Sequence, residues 1–259
     1  MIKYLVLFLL LAANLANASG VMFCAGGVTA AAGSSCSGDM SDGDNESFEK
    51  GAGQFCTTDW TETDPDGVVS TYDNTNAHTG SYAAKFTADN DDANEPENKL
   101  YIDIGGTDTD IYIRFYFWTP ADVVNYGAIY PLTIGDDVSE TNGTVYLQYA
   151  RNAASYQLKP RSVAYNPAEY FELAVSTKYR IEMHVITNSA SCNVKVFDAS
   201  GNAVLTSNGG ADYDLGFTSG AANMQYFIFK ASTTDSTART WYIDDVVIDT
   251  DGSDYIGAE

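Results

Sequence analysis

Four residues have the types that removing a proton beside a sugar carboxylate requires: Arg114, Gln148, His184 and Tyr226. Arginine or glutamine neutralises the carboxylate, while histidine or tyrosine takes the proton and returns one to the leaving oxygen. Each sits in a different stretch of alternating polarity, so only a fold that gathers four strands assembles them. A denser set lies in "IYIRFYFW" at 111–118. Alternate side chains of a strand face opposite ways. Ile111, Ile113, Phe115 and Phe117 are therefore core, and Tyr112, Arg114, Tyr116 and Trp118 form a second face with rings, hydroxyls, an indole N–H and a guanidinium. Tyr146 and Gln148 in "TVYLQYAR" and His184 in "YRIEMHVI" offer the same mixture. Rings cover the C–H faces of sugars and polar tips bind hydroxyls. Tyr112, Arg114, Tyr116, Trp118, Tyr146, Gln148 and His184 are accordingly expected to line one glycan groove. Such rings also suit any pleated, half-buried sheet surface without a ligand.

The elements that must position these residues are strands. "SYAAKFTA", "KLYIDIG", "DIYIRFYFW", "GAIYPLTIG", "TVYLQYAR", "SYQLKP", "FELAV", "YRIEMHVIT", "CNVKVFDA", "MQYFIFKA" and "WYIDDVVID" are short β-branched and aromatic runs between Gly, Asn and Asp clusters. Ser200-Gly201-Asn202 in "DASGNAV" carries hairpin chemistry. No helical period persists, and the best helical turn is near Pro120–Val124. The pattern predicts an all-β, antiparallel two-sheet sandwich.

Residues 1–18 read as a signal peptide: Lys3, an apolar run too short to span a bilayer, then "ANA" before Ser19. A Gly/Ser-rich leader at 19–44, the sandwich at 45–249 and a tail at 250–259 follow, in a secreted protein, extracellular or periplasmic. No second apolar stretch suggests a membrane span. Asp and Glu number 35 against 13 Lys and Arg, a formal charge of −22, which repels nucleic acid and disfavours an anionic substrate unless the site is locally basic. The four cysteines, Cys24, Cys36, Cys56 and Cys192, suggest two disulfides in an oxidising compartment. Three connectivities are possible; proximity favours Cys24–Cys36 and leaves Cys56–Cys192. The absence of a CxxC spacing, with two histidines in all, argues against zinc. No G-x-S-x-G or phosphate-cradling loop occurs.

"SFEKG" at 47–51, "AHTGSYAAKF" at 77–86 and "WYIDDVVID" at 241–249 resemble, in this order, the concanavalin A-like (jelly-roll) and related carbohydrate-binding sandwich families. The resemblance implies a jelly roll whose first and last strands meet. It also implies a structural Ca²⁺ there, held by Glu49, Asp244, Asp245 and a carbonyl near Gly80. These folds host lectins, glycosidases and lyases, so the resemblance does not fix an activity. "FKAS" at 229–232 is similar to part of the lyase motif Y-F-K-A-G-x-Y-N-Q, but Thr234 replaces its catalytic tyrosine. The glycosidase triplet E-x-D-x-E is absent. Asp244 and Asp245 are neighbours, expected to point to opposite faces of a strand, so they do not supply two acids to one substrate. The leading expectation is a polysaccharide-binding protein. A lyase on uronic-acid polymers and an adhesive surface protein are the alternatives. Whether the chain is an enzyme, and its oligomeric state, stay open at this level.

Overall fold

The computed structural model describes residues 42–46, 60–63, 70–88, 98–104, 110–123, 128–135, 145–162, 168–186, 191–216, 225–231, 239–250 and 255–257. The expected signal peptide, most of the expected leader, Glu49, Cys24, Cys36 and Cys56 lie outside them. The described strands are β1 (Asp42–Glu46), β2 (Trp60–Thr63), β3 (Ser70–Asp73), β4 (Ala83–Ala88) and β5 (Asn98–Asp103). Next come β6 (Asp110–Trp118), β7 (Ala128–Gly135), β8 (Val145–Asn152), β9 (Ser155–Ser162) and β10 (Phe171–Glu172). The last are β11 (Lys178–Ile186), β12 (Ser191–Phe197), β13 (Tyr213–Gly216), β14 (Tyr226–Ala231) and β15 (Arg239–Asp249).

They form two antiparallel sheets. The first runs β13-β12-β11-β6-β15-β4-β3, with β1 also on β15. The second runs β10-β9-β8-β7-β14-β5-β2. All eleven predicted strands are present, and β1, β2, β3 and β13 are additional. Residues 120–123 are not helical, contrary to the expected turn of helix there; Pro120 and the bend at Ala121 carry the chain away from β6. Residues 42–46, just before "SFEKG", pair with the last strand; "SFEKG" itself, which the resemblance places there, lies outside the described residues. The hairpin at 198–203 closes as predicted: Asp198 N–H donates to the Asn202 carbonyl (2.9 Å), and Gly201 takes φ +81°, which glycine adopts without a Cβ penalty.

The two sheets share one apolar core. Ile111, Ile113, Phe115 and Phe117 of the first sheet are buried with Leu100, Leu147, Phe227 and Phe229 of the second. Phe115 meets Phe229 edge-on at 5.6 Å, and Phe117 meets Tyr149 at 5.8 Å. Alternation in "KYRIEMHVI" places Tyr179, Ile181, Met183 and Val185 in the same core. Among the described residues no helix is long and apolar enough to cross a membrane.

Two tyrosines are expected to make the fold alkali-sensitive. Burial pushes the Tyr149 hydroxyl well above the ordinary 10.0 of a phenol. Tyr255 is raised likewise, first by burial and then by Cys192, Asp212 and Asp214 nearby. An acid whose folded pKa exceeds its unfolded value favours the unfolded chain once pH passes the unfolded value. Their contribution is therefore whole below about pH 10 and lost above it. A titration followed by phenolate absorbance should show late-ionising tyrosines that appear together with loss of the β-sheet signal. Complete ionisation near pH 10 with the fold intact would contradict this.

Candidate functional site

The predicted glycan residues do not share a face. Tyr112, Arg114, Tyr116, Trp118 and His184 lie on the outer side of the first sheet, in register across β6 and β11. Tyr146, Gln148 and Tyr226 lie on the outer side of the second sheet, across the core. Seven residues were expected to line one groove, and the four lyase-type residues to meet one sugar. Both expectations fail, because two of the four lyase-type residues stand on each side of the sandwich.

Nor is the first-sheet face bare. Tyr112, Arg114 and Tyr116 are buried, and only Trp118 is half-exposed. Residues 255–257 lie over this face. Tyr255 meets Tyr112 and His184 edge-on at 5.9 and 6.1 Å, its hydroxyl donates to Asn193 Oδ1, and Lys195 Nζ stands 3.6 Å from its ring centroid. Arg114 Nη1 donates to the Gly257 carbonyl (3.2 Å). Tyr112 stacks on His184 at 4.1 Å, and His184 Nε2 pairs with Asp110. The His78 ring covers Tyr116 at 3.4 Å and accepts at Nδ1 from Lys178 Nζ (2.8 Å). Burial, with Lys178, Arg114 and Arg180 nearby, lowers the His78 pKa to about 4, so its ring is neutral at pH 7. The face is occupied by its own chain: long side chains lie flat and the tail closes over them.

The last strand holds an acidic corner. Asp244 and Asp245 are both fully buried. Against expectation they engage the same turn. Asp244 Oδ2 accepts from His78 N–H (2.6 Å), and Asp245 Oδ1 accepts from the Thr79 hydroxyl (2.7 Å). The reason is a bulge. The register of β15 on β6 shifts between Asp244 and Val247, and Asp245 takes φ +47°, so strict alternation breaks at this pair. Gly80, in the same turn, takes φ +63°. Two adjacent buried carboxylates beside a turn, rich in oxygen and without sulfur, fit a hard cation such as Ca²⁺. Among the described residues no cluster of three or more His, Cys, Asp and Glu side chains is present. The expected Glu49 lies outside them. Cys192 is a fully buried free thiol rather than half of a Cys56–Cys192 bond. It faces the core from β12, beside Val194 and Val196.

The outer face of the second sheet is organised differently. Cross-strand pairing sets Tyr101, Ile228, Thr133, Tyr146 and Arg161 in one row across β5, β14, β7, β8 and β9. At about 4.8 Å between strands, this row is about 19 Å long. Tyr226 flanks it on β14 and contacts Tyr101 edge-on at 6.1 Å; Gln148 and Lys159 form the next row. Tyr130 stands at a second bulge, between Ile129 and Leu132, beside Tyr146 at 5.4 Å. Hydrogen bonds fix these groups: Arg161 Nη1 donates to Gln148 Oε1 (2.9 Å), and Gln148 Nε2 donates to the Tyr130 hydroxyl (3.2 Å). Arg161 lies 5.6 Å from the Tyr146 ring, and Lys230 lies 5.6 Å from the Tyr130 ring. Tyr101, Tyr130, Tyr146, Gln148, Lys159, Arg161 and Tyr226 all keep partial exposure. The Thr133 hydroxyl and Arg161 Nε are buried without a hydrogen-bond partner. Such unmet polar groups cost about 1–3 kcal/mol each. Tyr101, Tyr130, Thr133, Lys159 and Arg161 were not among the expected site residues. The alternation Gln157-Lys159-Arg161 was the signal that could have found the last two.

No protein-family model matches the chain, and no curated protein matches it. Solved structures do. The cellulose induced protein Cip1 is similar over 83% of this chain and 100% of its own, with TM-score 0.55 and 16% identity. A sialidase is similar over 82% of this chain and 19% of its own length, with TM-score 0.53 and 12% identity. At such identities the likeness is one of fold. With two antiparallel sheets over a single core and the first described strand on the last, the chain has an all-β, antiparallel two-sheet sandwich fold, the architecture it shares with Cip1.

Proposed function

We propose that this is a secreted polysaccharide-binding protein whose glycan lies along the Tyr101–Arg161 row of the second sheet. The carrying observation is the partly exposed set on that face: Tyr101 and Tyr146 stand on either side of the buried Ile228 and Thr133, and the ordered Gln148–Arg161 pair lies beside Tyr146. Rings supply platforms for sugar faces, and a fixed amide and guanidinium read hydroxyls with little ordering cost. A row of about 19 Å spans several sugar rings. A glycan array probed with the protein tests the reading. Retention of polysaccharides that is lost in Tyr146→Ala supports it, and an array blank for every glycan sinks it.

The proposal includes a structural calcium at the corner formed by Asp244, Asp245 and the carbonyl of Gly80; Glu49, the further carboxylate that the resemblance implies, lies outside the described residues. The ion would neutralise two buried charges and tie β15 to the 76–80 turn. Its role is structural, since the corner belongs to the first sheet and the glycan row to the second. Calcium at about 100 times its dissociation constant stabilises by about 2.7 kcal/mol, or about 5–10 °C in melting temperature. Thermal melts with calcium and with a chelator should differ by that amount. Identical melts would remove the ion from the account.

A further inference from the structure

We infer that the polysaccharide selected by the second-sheet face is anionic, a polymer of carboxylate-bearing sugars; the inference rests on the glycan reading above. The chain carries 35 acids and only 13 Lys and Arg. Yet Lys99, Lys159, Arg161 and Lys230 all fall on this one face. The acids described on it, Asp103 and Glu172, stand at opposite corners: one pairs with Tyr226 at one end, the other with Gln157 on the far edge. Asp103 already accepts from Gln225. In a molecule of net charge −22, basic side chains thus outnumber acidic ones among the described residues of this face.

The placement of the cations is specific. Lys159 and Arg161 are two apart on β9 and so point the same way. Their like charges oppose each other: burial, then Arg161, lowers the pKa of Lys159. A carboxylate bound between them would relieve that repulsion. Arg161 uses Nη1 to hold Gln148, and its Nε has no partner. The guanidinium is thus fixed in orientation; Nε itself is buried, and the partly exposed remainder of the fork is what can meet an oxyanion, which it favours over a neutral hydroxyl. Lys230 reaches over Tyr130 from β14, so positive charge flanks the row on both sides of β7.

The experiment compares polygalacturonate with the same polymer after carboxyl reduction, which keeps the chain and removes the charge, by calorimetric titration. Mixed-linkage glucan serves as a neutral reference. The acidic polymer should bind at least about tenfold tighter than its reduced form, a difference of about 1.4 kcal/mol. That advantage should shrink as salt rises towards about 1 M, where the screening length falls to about 3 Å. Lys159→Gln and Arg161→Gln should each erode it, whereas Lys85→Gln, on the first sheet, should not. Equal binding of native and reduced polymer overturns the anionic inference and leaves the glycan reading standing. Binding to none of the three polymers overturns the inference, and a blank glycan array beside it overturns the glycan reading as well.

Discussion

Tyr146→Ala and Arg161→Ala each weaken polysaccharide binding by about ten- to a hundredfold, while Trp118→Ala leaves it unchanged. The asymmetry follows from the two sheets. Tyr146 stands beside Arg161 in the second-sheet row and packs on both Tyr130 and Arg161. Its loss removes a platform and the surface that aligns the guanidinium. Arg161→Ala removes a charged donor and frees Gln148, so two polar contacts go together. Trp118 is the larger ring, but it stands on β6, on the far side of the core. Affinity electrophoresis in polysaccharide gels reads all three variants at once. Retardation lost in Trp118→Ala but kept in Tyr146→Ala would move the site to the first sheet.

Phe115→Ala costs about 3–5 kcal/mol and lowers the melting temperature by about 8–15 °C. Phe115 is fully buried on the central strand β6, between β11 and β15, and its ring meets Phe229 of the opposite sheet. Truncation opens a cavity between two sheets whose backbones are fixed by ladders on both sides, so collapse around it is limited. Calorimetry measures the change. A loss below about 1 kcal/mol would mean that the sheets do not meet at this ring.

The fold was legible because alternation is a local property. Each of the eleven apolar runs became a strand, and Ile111, Ile113, Phe115 and Phe117 are core. The face opposite them was misread because exposure is not local. Nothing in "IYIRFYFW" says that β6 will be central or that Tyr255 and His78 will settle over it. Membership of a sheet was equally hidden: Arg114 and Gln148 look alike in sequence, and only the strand order separates them. One proline hid part of the proposed site. Pro160 suggested that a strand ended there, yet β9 continues to Ser162 and carries Arg161, because its far neighbour β10 pairs only with Gln157 and Leu158. Pro131 sits inside the bulge of β7, where the ladder is already broken, and so does not stop that strand either. The bulge at Asp244 likewise defeated the rule that neighbours point apart.

The tail laid across the first sheet gives the molecule a front and a back. The proposed glycan face is the second sheet, and the first sheet, under residues 255–257, is turned away from it. Neighbours docked side by side on one fibre would each bring −22 and repel within about 10 Å at 0.1 M salt. Packing of neighbouring copies on one polymer would then be limited by this repulsion, which salt screens.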